Sequence, residues 1–195
     1  MSFSRLLLLA ASSKKQISGV RSDKIVVNPR NSRPGTNRDP YEGEVILCFD
    51  IDNDNAREKR VCQNLGMRET DKRCDGVIFY SQDDSGDRVI CLVEMKSTQL
   101  DHVAEQIIST KNHIKTLLQE ECGSHCRGQL QHITWKACFY YHGASRDKVA
   151  SIQNQLLNNG FADIASFTEA NNDVGPFLRG EERAKELAKK VRSRR

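Results

Sequence analysis

The sequence predicts an α/β fold, a mixed central β-sheet flanked by helices. Three observations carry that expectation. Residues 73–97 read as a hairpin of two apolar strands around a polar turn. Apolar residues then recur at helical spacing from Leu100 to about Glu121. An aromatic strand and a second helix follow. Strands and helices therefore alternate, as they do when helices cover the faces of a sheet.

The hairpin is the most informative stretch. Val77-Ile78-Phe79-Tyr80 and Val89-Ile90-Cys91-Leu92-Val93 flank Asp83-Asp84-Ser85-Gly86. β-branched and aromatic runs bounded by Asp, Ser and Gly are strand and turn signals. Both faces of each run are apolar, the pattern of strands covered on two sides. Three ionisable residues stand at the ends: Asp75, Glu94 and Lys96. With the loop centred between Asp84 and Ser85, Asp75 falls directly opposite Glu94. Glu94 and Lys96, two apart, share a face of their strand. Like charges placed opposite each other cost about 0.2–1 kcal/mol. A divalent cation between the two carboxylates would offset that cost, and Lys96 would then be placed to hold an attacking water or a developing negative charge.

Asp75-Gly76, an apolar strand, a turn, and Glu94-Met95-Lys96 closing a second strand together resemble the PD-(D/E)xK, or restriction-endonuclease-like, nuclease superfamily. The resemblance covers roughly residues 54–142. Cys74 stands where that family often has Pro. The resemblance implies an αβββαβ core, with Mg²⁺ (or Mn²⁺) held by Asp75, Glu94 and the backbone carbonyl of Met95. It implies that Lys96 orients or activates the hydrolytic water. It also implies that Gln106, on the helix after the hairpin, reaches back to the site. Some exonuclease branches carry Tyr four residues after that Gln, and here the residue is Thr110. A helix before the Asp strand often adds another metal-side Glu. Glu58 is one candidate, and Glu44 is the other if residues 41–50 are helical; each, taken singly, also reads as a solvated surface Glu. The implied activity is metal-dependent hydrolysis of phosphodiester bonds in nucleic acid, with DNA favoured over RNA on the family alone. A homodimer or a larger complex fits such an enzyme equally. The rival from another class is a non-catalytic nucleic-acid-binding or assembly module that keeps the fold. An E-x-K tripeptide by itself is an ordinary strand ion pair; the opposed Asp75, the apolar runs and the following helix give it weight.

Charge is unevenly spread along the 195 residues. Residues 1–40 carry eight Lys/Arg and two Asp, and residues 181–195 carry seven Lys/Arg and three Glu. The net charge of +4 therefore hides an acidic middle between basic ends. That division suits a metal-dependent enzyme whose ends contact a polyanion, though charged ends also serve solubility. Seven cysteines, scattered and odd in number, argue for a reducing, cytoplasmic setting over a disulfide framework.

The rest of the chain divides into a basic N-terminal arm with a short apolar segment (1–40), a nuclease-like domain (41–170), and a loop with a basic C-terminal helix (171–195). The apolar start after Arg5 is too short to span a membrane, and no membrane partner is expected. Tyr41 to Asp52 is ambiguous between helix and strand. Phe49-Asp50-Ile51-Asp52-Asn53-Asp54 resembles the D-x-D motif of haloacid-dehalogenase-like phosphatases, but Asn53-Asp54 fits poorly. As a calcium loop it has Asn55 in place of Gly and Val61 in place of the bidentate Glu. A polar turn capping a helix from Ala56 to Leu65, ended by Gly66, accounts for it better. Asp101 or Thr98 caps the long helix. Cys122-Gly-Ser-His125-Cys126 offers too few ligands for a structural zinc site. Thr134 to Tyr141 reads as a strand, Asp147 to Leu157 as a helix stopped by Asn158-Asn159-Gly160, residues 161–168 as an edge strand, and Asn171 to Gly180 as a loop.

Overall fold

Alternation of apolar side chains along the central strands decides the layers of this molecule. The computed structural model describes residues 44–51, 62–63, 65–68, 70–82, 88–95, 100–122, 132–168 and 174–181. Its five strands are β1 (Glu44–Asp50), β2 (Gly76–Gln82), β3 (Arg88–Met95), β4 (Ile133–Tyr140) and β5 (Asp163–Phe167). They form one mixed sheet in the order β1-β2-β3-β4-β5. β1, β2 and β3 are a meander of antiparallel neighbours. β4 runs parallel to β3, and β5 parallel to β4.

Parallel neighbours need crossover connections, and the chain supplies two helices for them. Helix α1 (Val103–Cys122) joins β3 to β4, and α2 (Arg146–Asn158) joins β4 to β5. Both lie on the same face. Val77, Phe79, Ile90, Leu92, Ala137 and Phe139 point to that face and pack with Val103, Ile107 and Ile114 of α1 and with Val149, Ile152 and Leu156 of α2. The alternate residues Ile78, Tyr80, Val89, Cys91, Val93 and Cys138 form a second cluster on the other face. Each strand of the hairpin is thus buried on both sides, as its two-faced apolar pattern implies.

The ambiguous stretch before the hairpin is a strand. β1 pairs with β2 along its whole length, from Glu44 opposite Gln82 to Asp50 opposite Gly76. Pairing with an apolar neighbour overrides a local pattern that is compatible with either state. The loop expected at 171–180 contains a helical turn, α3 (Gly175–Leu178), with Pro176 near its start. Val174, Phe177 and Leu178 bury themselves in the second cluster, so the packed body runs past residue 170. The expected helix over 56–65 falls mostly outside the described residues. Its end is visible: Cys62 and Gln63 are helical, and Gly66 closes the turn at φ 73°. Of the expected C-terminal helix only Glu181 is described. Asp101 pairs with Lys148 at 2.7 Å. Among the described residues no helix is long and apolar enough to cross a membrane.

Two buried lysines fasten helix ends to the core. Lys111 of α1 donates to the carbonyls of Asn159 (2.5 Å) and Gly160 (2.9 Å), which end α2, and lies over the Phe161 ring. Gly160 is favoured there by its φ of 75°, and a Cβ would stand 3.1 Å from the Lys111 ammonium, which would have to shift to admit it. On the opposite face Lys136 of β4 donates to the carbonyls of Phe177 (2.6 Å) and Leu178 (3.1 Å) at the end of α3. Cations at helix C-termini satisfy carbonyls that have no intrahelical partner and oppose the helix dipole. Lys136→Met keeps the stem and loses the donor. It is expected to lower stability by about 1–3 kcal/mol, the cost of removing the ammonium donor from the buried Leu178 carbonyl, as measured by urea unfolding.

Candidate active site

The β2–β3 register fixes the site. Gly76 faces Val93 and Val77 faces Leu92, so the next rung outward holds Asp75 and Glu94. The two acids are brought together as the hairpin count implies. The Asp75 amide donates to Glu94 Oε2 at 3.2 Å. In return Asp75 Oδ2 accepts from the Met95 amide at 2.5 Å. Each acid is thus anchored on the other strand's backbone. Glu94 has no exposed surface, while Asp75 is half-buried.

The rung lies where β1 and β3 end. The Ile51 amide, just past β1, donates to the carbonyl of Asp75 at 2.9 Å. Met95 is paired with Tyr140, the last residue of β4. The carboxyl ends of β1, β3 and β4 therefore converge on the acid pair, the edge where open α/β sheets bind ligands.

Helix α1 holds the segment that leads into Asp75. Gln106 Nε2 donates to the Arg73 carbonyl at 3.0 Å. Thr110, fully buried, accepts from the Cys74 amide at 2.9 Å and donates to the Gln106 carbonyl at 2.9 Å. Gln106 therefore meets the backbone two residues before Asp75. Its Oε1 is buried and has no hydrogen-bond partner among the described residues, which leaves one acceptor for an incoming donor. Sequence reasoning gave Thr110 no such part. Its signal is positional: the buried row Val103, Ile107, Ile114, Leu118 has a gap at 110, and a hydroxyl fills it.

The donor set suits a hard divalent cation. Two carboxylates and the Met95 carbonyl are oxygen ligands of the kind that Mg²⁺ or Mn²⁺ takes. Among the described residues no group of three or more His, Cys, Asp or Glu side chains is arranged to hold a metal. Lys96 and Glu58 lie outside the described residues. Glu44 does not belong with the acids: residues 44–50 are strand, and Glu44 sits six positions along β1 from Asp50, about 20 Å from the Asp75 end. Asp50 ends β1 at the sheet edge, antiparallel to its neighbour. Asp52, the second acid of the D-x-D stretch, lies outside the described residues, as do the side chains of Asp50, Cys122 and Cys126.

Cys74, in the position before Asp75, is fully buried and its Sγ lies 3.3 Å from the Gly76 carbonyl. Burial pushes its thiol far above the ordinary range, and the Glu94 charge pushes it further. A protonated, enclosed thiol is a poor nucleophile.

A scan of family models and searches of curated proteins and solved structures return no match to this chain.

Native Cys74 is expected to resist iodoacetamide at pH 8, with the half-buried Cys48 reacting ahead of it. Peptide mapping before and after unfolding checks this. Rapid labelling of Cys74 in the native protein would contradict its enclosure.

Proposed function

We propose that the chain is a metal-dependent nuclease of the PD-(D/E)xK type that hydrolyses phosphodiester bonds of nucleic acid, with DNA as the substrate the family resemblance favours. The observation that carries the reading is the Asp75–Glu94 rung at the carboxyl edge of the sheet; Lys96 follows Glu94 by two residues in the sequence. The order of elements from β1 onward supports it. Three antiparallel strands, a helix and a parallel strand follow the βββαβ part of that family's core.

In this reading Asp75, Glu94 and the Met95 carbonyl hold Mg²⁺ or Mn²⁺. When bound, the cation supplies positive charge against the scissile phosphate, the main electrostatic need of the transition state. Lys96 orients the attacking water and stabilises its developing negative charge. Gln106 holds the backbone before Asp75 and offers Oε1 to that water or to the substrate. Glu58 is a further metal-side candidate. The basic arms supply phosphate contacts that the acidic middle lacks, and phosphate neutralisation makes binding weaken with salt. Cys48, Cys62, Cys74, Cys91 and Cys138 are not joined in disulfides, which suits a reducing cytoplasm.

The test is cleavage of linear, circular and single-stranded DNA and of RNA, with Mg²⁺ or Mn²⁺. Wild type is expected to cut, Lys96→Ala to cut about 10²–10⁴-fold more slowly, and Asp75→Asn to lose metal-dependent cutting. Undiminished cutting by Lys96→Ala would remove that residue's role. No cutting by wild type would replace the enzyme with a nucleic-acid-binding or assembly module.

A further inference from the structure

We propose that Thr110 is a positioning residue for the acid pair: its hydroxyl, wired between α1 and the Cys74 amide, sets where Asp75 stands against Glu94. The proposal rests on the metal-centre reading above and adds to it the group that tunes the centre's affinity.

Asp75 precedes β2 rather than lying within it, so the ladder alone does not hold it. Three contacts do. From the β1 side, the Ile51 amide reaches the Asp75 carbonyl. From β3, Glu94 and Met95 take its amide and its carboxylate. From α1, Gln106 and Thr110 take the Arg73 carbonyl and the Cys74 amide. The helix contact comes from a fully buried hydroxyl. Thr110 has no exposed surface, stands in the apolar row of α1, and uses its hydroxyl as both donor and acceptor.

That double use gives the contact its stiffness. The hydroxyl hydrogen is committed to the Gln106 carbonyl one turn back, so the oxygen's lone pairs face the Cys74 amide. The same turn carries the Gln106 side chain to Arg73. One turn of α1 thus grips two successive residues, and the chain enters Asp75 in one conformation. A group that orients a metal ligand without touching the metal commonly changes affinity about 10–100-fold when removed.

The experiment compares wild type, Thr110→Val and Thr110→Ser. Valine keeps shape and burial and removes the hydroxyl; serine keeps the hydroxyl. Two readouts separate the clamp from the metal. Amide hydrogen exchange at Cys74, Asp75 and Met95 is expected to accelerate in Thr110→Val while amides in β4 and α2 keep their protection. Mn²⁺ affinity by calorimetry is expected to fall about tenfold in Thr110→Val, and Thr110→Ser is expected to restore both. Unchanged exchange at the three amides in Thr110→Val would overturn the clamp. Faster exchange with unchanged Mn²⁺ affinity, or serine failing to restore affinity, would reduce Thr110 to a structural residue. Absence of Mn²⁺ uptake by wild type would overturn the metal reading and the tuning role with it, leaving the exchange data to decide the clamp alone.

Discussion

The structure depends on the pairing of β2 with β3, and on where that pairing stops. Because strand side chains alternate, a slip of one residue would turn either Val77 and Phe79 or Ile90 and Leu92 away from the helices and into the other apolar cluster. Such a slip is costly on both faces, so the register is fixed by the core. The same register sets Asp75 opposite Glu94. The position of two charged groups is therefore determined by a dozen apolar ones, and the acids need no mutual attraction to meet. Their backbone anchors, one amide each way, then hold the carboxylates in place.

Burial makes this arrangement consequential. A carboxylate with no exposed surface gives up its hydration, and it persists only with compensating donors or charge. Glu94 receives such a donor from Asp75's amide, and under the proposed function a cation would be a further partner for the two acids. The molecule handles other buried polar groups by the same means. Lys111, Lys136 and Thr110 each stand in an apolar layer, and each spends its polar atoms on backbone groups at the end of another segment. These side chains locate loops that the apolar layers alone would leave loosely placed.

Much of this was legible in the sequence, for identifiable reasons. The hairpin, α1, β4, α2 and β5 announce themselves because period and turn residues agree: Gly160, for example, stops α2 where an Asn-Asn-Gly run says it should. The opposition of Asp75 and Glu94 was readable because the Asp83-Asp84-Ser85-Gly86 cluster, taken as the centre of a hairpin, sets the count. β1 was not, since Glu-Val-Ile-Leu-Cys-Phe-Asp suits a buried helix as well as a strand, and only its pairing with β2 decides. That decision also removes Glu44 from the acids. α3 was missed because a four-residue turn has no period to detect; its apolar residues become meaningful only beneath the sheet. Thr110 and the two lysines were hidden by their chemistry. Hydrophobic patterns skip polar residues, and the partners of these three are backbone atoms 36 to 49 residues distant in the chain.

The measurement that bears most directly on the central claim is an anomalous difference map from crystals grown with Mn²⁺, collected for wild type and for Asp75→Asn. The account requires a peak within coordination distance of the Asp75 and Glu94 carboxylates in wild type, lost in the variant. A peak elsewhere, or acids that stay on their rung with no peak between them at saturating Mn²⁺, would contradict it.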